Sequence, residues 1–322
     1  MKFDVTALGE LLIDFTHNGI SSQGNSLFEA NPGGAPCNVL AMLTKLGHTV
    51  SFVGKVGDDA FGHVLAKAVA DEGIDIGGLH FETNAPTTLA FVHRLADDDR
   101  DFSFYRNPGA DMLLNASEVS EEQIAGSRIF HFGSLSMTND GNFAATQKAI
   151  ELAERNGVLR SFDPNLRPPL WHSLSLARER IRYGLAHCDI LKIADNELRW
   201  LTGNENSANA VRALRREFDI SCIFVSMGSA GSQAYLKDCT ARMPAFLNPY
   251  SIDTTGAGDT FCACMLHGIL QHGIDELNEY TIGEMLRFGN AAASIVTTRR
   301  GALRVMPTRQ EVEKLMYTHN HA

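Results

Sequence analysis

The sequence predicts one α/β domain in three layers: a mostly parallel sheet between two helical layers, with a small β-lid projecting from it. Three observations carry this. Short β-like runs alternate with helical runs along most of the 322 residues, the pattern of successive βαβ units. The stretch Thr87 to Arg106, "TTLAFVHRLADDDRDFSFYR", breaks that rhythm with two strand-like runs around the acidic turn Asp97-Asp98-Asp99-Arg100. No internal repeat or low-complexity linker divides the chain, so residues 1–322 read as a single domain.

From the N-terminus, "DVTALGELLIDF" reads as one strand or two, and "PCNVLAMLTKLG" as a helix ending at Gly47. "TVSFVGKVG" is a strand, and "DAFGHVLAKAVADEG" a helix closed by Gly73. "SRIFHFGSLS" is a strand, followed by a helix across "GNFAATQKAIELAERNG". Further strands fall at "VLRSFD", "CDILKIA" and "SCIFVSMG", with helices at "LSLARERIRYGLA", "DNELRWLTG" and "SANAVRALRREF". Crossovers between parallel strands should be right-handed. The Thr87–Arg106 hairpin has no helix to cover it, which makes it a candidate lid or dimer-forming edge.

Composition narrows the function. The chain is 44% hydrophobic and carries a formal charge of -10 with scattered basic residues. Nucleic-acid backbones need a concentrated basic face, so that partner is excluded; a small anionic ligand is not. Six cysteines (Cys37, Cys188, Cys222, Cys239, Cys262, Cys264) form no C-x-x-C pair and read as reduced, mostly buried thiols of a cytoplasmic protein. The start "MKFDVTALGELLIDF" lacks the features of a signal peptide, and no apolar run approaches the ~20 residues of a membrane span. The twelve histidines include no H-E-x-x-H, and His319 and His321 fall on a polar tail, so no histidine metal site is expected.

Two stretches carry chemistry. In "IDTTGAGDTFCACML", Ile252 to Leu266, a strand end runs into Gly256, Ala257 and Gly258, which leave backbone N–H groups bare, and then into an apolar helix. Thr254 and Thr255 are candidate caps. The helix N-terminus adds roughly half a positive charge, so the turn forms an anion hole. Asp259 stands on that turn either to complement the helix dipole or to take a proton from a hydroxyl that attacks a phosphoryl group. No G-x-x-x-x-G-K-[ST] loop is present, and Phe261 occupies the third glycine position of a G-x-G-x-x-G match that also comes late in the chain. A nicotinamide dehydrogenase is thereby disfavoured. In "NPGGAPCN", Asn31 to Asn38, Gly33 and Gly34 let backbone approach a ligand, and Asn38 can both donate and accept hydrogen bonds. With Asp14 at the end of the first strand pair, an amide and a carboxylate converging on a cleft suit a polyol; a helix cap and a turn acid are the alternatives.

Together "GGAPCNVLAMLTKLG" and "DTTGAGDTF" resemble the two signatures of the ribokinase-like (PfkB) carbohydrate kinases. "FVGKVGDDAFG", "FSFYRNPGADMLL", "SFDPNLRPPLW", "NELRWLTG" and "GNAAASIVTTRRGA" resemble the intermediate blocks, in order. The resemblance covers nearly the whole chain, and "GELLIDF", "GGAP" and "FDPNLRPPLW" look most like fructokinases. It implies a ribokinase-like sandwich with a lid formed by about 12–30 and 86–110, and homodimers formed through that lid. Asp259 would be the general base, and the amides of Gly256, Ala257 and Gly258 would hold the γ-phosphate of ATP. Asp14, Gly33, Gly34 and Asn38 would bind the sugar, with Arg106 and Arg167 as further candidates. Glu197 would position Mg²⁺ through water. Ser226, Gly228 and Gly231 would line the nucleotide, with Asn290 near the adenine. Asp253 and Thr255 match positions that hold K⁺.

The chain departs from the family where Ala194 replaces the asparagine of N-x-x-E, and where Cys37, Leu40 and Cys264 replace smaller residues. Ala35 stands where sugar-phosphate kinases and ribokinases carry a lysine, which favours a neutral sugar. The expected reaction is transfer from MgATP to a primary hydroxyl of fructose. Arg106 and Arg167 leave 2-keto-3-deoxygluconate as an alternative, beside other sugars and nucleosides. An idle binding protein of the same fold would have no use for Asp259.

Overall fold

The computed structural model describes residues 1–94 and 100–319; Asp97-Asp98-Asp99 of the acidic turn and His321 lie outside them. The stretch read as one strand or two divides into β1 (Phe3–Leu8) and β2 (Leu12–Ile20), followed by β3 (Ser26–Gly33), α1 (Ala35–Lys45), β4 (Val50–Gly57), α2 (Ala60–Asp71) and β5 (Asp75–Glu82). The Thr87–Arg106 stretch holds β6 (Leu89–Arg94) and β7 (Arg100–Tyr105). Then come α3 (Glu121–Ala125), β8 (Ser127–Gly133), α4 (Asp140–Arg155), β9 (Leu159–Asp163), α5 (Leu174–Ala186), β10 (Ile190–Ala194), α6 (Asp195–Thr202), α7 (Ser207–Arg215) and β11 (Cys222–Ser226). The chain finishes with β12 (Ser232–Tyr235), β13 (Thr240–Met243), α8 (Ala257–His272), α9 (Glu279–Val296) and α10 (Arg309–His319).

Nine strands form the main sheet in the order β13-β12-β11-β10-β9-β8-β1-β4-β5. All neighbours are parallel except the β11-β12-β13 edge, which is antiparallel. The hydrophobic period of 2 along each strand sorts its side chains to two faces. Ile190, Cys222 and Phe224 join the core beneath α1, α8 and α9. Leu191, Ile193, Ile223 and Val225 join the core beneath α4, α5 and α7. Burial on both faces is why these strands read as continuous apolar runs. In the second core Phe130 and Phe132 of β8 and Phe162 of β9 stack with centroids 5.6 and 4.9 Å apart.

The hairpin does not stand alone. β6 and β7 pair antiparallel from Leu89–Tyr105 to Arg94–Arg100, and β6 pairs parallel with β2, giving a second sheet in the order β3-β2-β6-β7. Its root is tied to α2, where Asp59 caps the Gly62 N–H and also accepts the Thr87 N–H at 2.8 Å. Four strands escape the sequence patterns: β3, β5, β12 and β13. β3 is mostly exposed, β5 is a sheet edge interrupted by Gly77-Gly78, and the other two have four residues each, so none shows a sustained apolar run. All six cysteines are free, five of them buried. Among the described residues no helix is long and apolar enough to cross a membrane, and no cluster of His, Cys, Asp or Glu could hold a metal ion by itself.

Candidate active site

The sheet order reverses beside β1: β4 and β5 lie on one side, β8 to β11 on the other. Ligands of open parallel sheets bind in the crevice outside the strand C-termini at such a point. Glu10 leaves β1 there, and Asp163 ends β9 nearby.

The turn before α1 is built for close approach. Gly34 has φ 129°, and a Cβ on it would lie 2.3 Å from the Glu10 carbonyl oxygen, so no other residue fits. A Cβ on Gly33 would meet Asp14 Oδ2 at 2.3 Å; the missing side chain makes room for that carboxylate. Glu10 Oε1 accepts the Ala35 N–H at 2.9 Å, and Pro36 starts the helix in its preferred first-turn position. This places Asn38 on the first turn of α1, buried, with Nδ2 donating to Asp259 Oδ2 at 2.8 Å.

The second turn precedes α8. Gly256 is left-handed (φ 78°) and caps the helix without a side chain. The Thr255 N–H goes to Asp253 Oδ1 at 2.8 Å, and the Ala257 N–H to Thr254 O at 3.2 Å. The bare donors of the anion hole are therefore the N–H groups of Gly256, Gly258 and Asp259, which have no acceptor among the described residues. Ala257, expected among them, instead closes the turn that aims the others.

Two cavities meet at this turn. The smaller, about 300 Å³, is lined by Glu10, Leu12, Asp14, Gly34, Ala35, Asn38, Phe104, Leu135, Asn165 and Arg167, together with Thr254 to Gly256, Gly258 and Asp259. The larger, about 640 Å³, includes Ser226, Gly228, Gly231, Phe246, Leu247, Ala257, Gly258, Asn290 and Ala293. Thr254 and Gly258 line both, whereas Asp259 lines only the smaller.

Burial dominates the electrostatics. Desolvation raises Asp259, while the Asn38 hydrogen bond and the charges of Lys192 and Arg167 oppose that shift. Desolvation pushes Asp14 up to about 7, against the pull of Arg167 and with a push from Asp253 and Asp259. It pushes Glu10 up to about 7 as well. Behind Gly258, Lys192 Nζ pairs with Asp163 Oδ2 at 2.8 Å, both buried. A Cβ on Gly258 would lie 3.1 Å from that ammonium, so a buried cation backs the anion hole. Asp163 Oδ1 is buried without a partner among the described residues. Burial raises Glu197 too, and its carboxylate accepts the N–H groups of Leu166 (2.6 Å) and Ala194 (2.9 Å).

The expected residues thus converge with particular exceptions. Arg106 does not reach the sugar-sized cavity. Its Nε and Nη2 both contact Asp111 Oδ2, at 2.7 and 2.6 Å, and its other donors go to Thr138 Oγ1 and Leu135 O. A buried carboxylate five residues downstream claims the guanidinium, and sequence spacing does not reveal that. Asn290 lines the larger cavity, but its Nδ2 is donated to the carbonyls of Met243 and Pro244. It fastens α9 to the end of β13 and the residue after it. Glu197 lines neither cavity. Asp253 accepts the Gly301 N–H at 3.3 Å and lines a third cavity with Thr16, His17 and Arg300. Glu10, Asn165, Lys192 and Asp163 were not anticipated as site residues. Asn165 has the signal of a constrained turn, with the one positive φ (44°) of a non-glycine residue among those described.

Comparison with known proteins agrees with this geometry. The family described as "pfkB family carbohydrate kinase" matches residues 2–309. Fructokinase-1 of Zea mays is 40% identical over 314 residues, 97% of each chain. The crystal structure of a fructokinase from Xylella fastidiosa with bound ATP matches with a TM-score of 0.90 and 31% identity, over 99% of this chain and 100% of that one. A fructokinase double mutant from Vibrio cholerae O395, in fructose, ADP and potassium ion bound form, matches with a TM-score of 0.88 and 26% identity, over 98% and 99% of the two chains.

Proposed function

We propose that this chain, which belongs to the pfkB family of carbohydrate kinases, is a fructokinase that transfers the γ-phosphoryl group of ATP to a primary hydroxyl of fructose. One observation carries the reading: Gly258 and Thr254 form a wall common to a nucleotide-sized and a sugar-sized cavity, and Asp259 faces only the latter. The sugar hydroxyl oxygen forms its bond to the γ-phosphorus as the bond from that phosphorus to the β-γ bridging oxygen breaks, and ADP leaves. The hydroxyl proton passes to the Asp259 carboxylate. The bare N–H groups at the start of α8 and the ammonium of Lys192 stabilise the transferring charge. Positioning and charge stabilisation do most of the work, with the base adding about 10²–10⁴-fold.

The cavity's charges support a neutral sugar. Among the described residues, Glu10, Asp14 and Asp259 face a single guanidinium, Arg167, because Arg106 is held by Asp111. A keto-acid or a phosphorylated sugar would meet net repulsion and no two-arginine clamp. Fructose and potassium in the Vibrio protein support the same substrate and a K⁺ beside Asp253 and Thr255. Mg²⁺ keeps waters and phosphate oxygens as ligands and asks for few protein carboxylates; the Asp163 Oδ1, unpartnered among the described residues, fits that demand through water, whereas Glu197 gives both oxygens to backbone N–H groups. When bound with ATP, the ion neutralises phosphate charge. The second sheet acts as a lid and, through exposed Ile20, Leu27, Phe28 and Tyr105, as the contact of a homodimer. Free, buried thiols suit a cytoplasmic protein.

A coupled kinase assay against fructose, 2-keto-3-deoxygluconate, ribose and adenosine tests the reading. Fructose should show the highest kcat/KM. Asp259→Asn should lose at least ~100-fold in turnover while calorimetry still records ATP and fructose binding. A keto-acid that outperforms fructose, or undiminished turnover in the variant, would overturn it.

A further inference from the structure

The sugar-sized cavity has a second polar corner. Glu10 leaves the end of β1 with its side chain buried at 4% exposure, yet it lines the cavity. Oε1 is occupied by the Ala35 N–H. The Glu10 backbone N–H also bonds to the carboxylate, and no donor from another described residue reaches Oε2, on a side chain that lines the cavity. The charges acting on Asp14 are Arg167, Asp253 and Asp259, whereas those acting on Glu10 are Arg106 and Asp111. Glu10 thus sits among different charges from those around Asp14, and the apolar side chains of Leu12, Phe104 and Leu135 complete the wall.

We propose that Glu10 is a sugar-specificity residue, binding through Oε2 a hydroxyl of the acceptor remote from the one phosphorylated. The inference rests on the sugar-kinase reading above and deepens it. A six-carbon polyol carries hydroxyls at both ends, so one end meets Asp259 while the other meets Glu10. Burial near neutrality lets the carboxyl serve as donor or acceptor. A site built to hydrogen-bond a hydroxyl rejects an analogue lacking it, because its own buried polar group is left unpaired. The same residue holds the Gly34-Ala35 turn, so two roles have to be separated.

Deoxy-sugar analogues separate them. Wild-type enzyme is assayed with fructose and its monodeoxy analogues, beside Glu10→Gln and Glu10→Ala, with melting temperature followed for each. In wild type, one analogue lacking a hydroxyl other than the acceptor should raise KM at least ~10-fold. In Glu10→Ala that penalty should vanish while other penalties persist, the signature of a double-mutant cycle. Glu10→Gln, which retains an acceptor at Oε1 and a polar group at the second position, should raise KM for fructose with kcat within a few-fold. If every deoxy penalty of wild type persists in Glu10→Ala, or if Glu10→Gln lowers kcat and melting temperature with KM unmoved, Glu10 only holds the turn and the proposal fails. A wild-type enzyme inactive on fructose would instead defeat the substrate reading, and the cycle would then be run on the best sugar found.

Discussion

Asn38 on α1 donates from Nδ2 to Oδ2 of Asp259 on α8 across 2.8 Å and 221 residues of sequence. This bond joins the two glycine turns into one site. It also sets the base: a hydrogen bond to the ionised carboxylate favours that form and opposes the upward push of desolvation.

Removing the bond therefore has a signed outcome. Asn38→Ala leaves desolvation unopposed by that donor, so Asp259 holds its proton to higher pH. The acid limb of kcat against pH should move upward, with activity at pH 6 falling more than activity at pH 8. An unmoved limb would show that Asp259 is not the titrating group.

Arg106 and Arg167 should part company when replaced. Arg106→Ala strands the buried Asp111 carboxylate, a loss of about 3–5 kcal/mol, read as a fall in denaturation midpoint. Arg167, whose Nη1 bonds among the described residues only to the neighbouring Leu166 carbonyl at 3.3 Å, faces the cavity. Arg167→Ala should raise the fructose KM about 10-fold or more, as for loss of a charged hydrogen-bond donor, and change stability by about 0.5 kcal/mol or less. Equal loss of stability in both would contradict this division of labour.

Asp14 links the cavity to stability. Its carboxyl titrates at about 7 in the folded chain and at about 3.9 when unfolded, so the folded state binds the proton more tightly. The associated stability is complete below the unfolded value and is lost as pH rises through 7. The ligand-free melting temperature should fall from pH 5 to pH 8. Asp14→Asn should flatten part of that slope, the remainder belonging to Glu10, and melt above wild type at pH 8 while losing sugar affinity. A variant that melts below wild type at pH 8 would refute the linkage.

The glycine turns were legible in the chain because backbone exposure leaves a local mark. Gly34 and Gly256 must be glycine wherever their φ is positive, and Asp259 follows at fixed helical spacing. The doubly buried strands were equally legible, since each is a continuous apolar run. The second sheet was half visible. Its hairpin has a period of 2, but β3 is mostly exposed and presents no apolar face to read.

Local pattern alone set the alternation of strands and helices, the bare helix start and the acid upon it, because these follow from dihedral preference and periodicity within a few residues. Which polar groups face which was decided by folding. Arg106 was drawn to Asp111, Ala257 gave its N–H to Thr254, and Glu10 turned into the cavity. Partner choice among buried charges and donors depends on distances between segments far apart in the chain, and only the packed sheet brings those segments together.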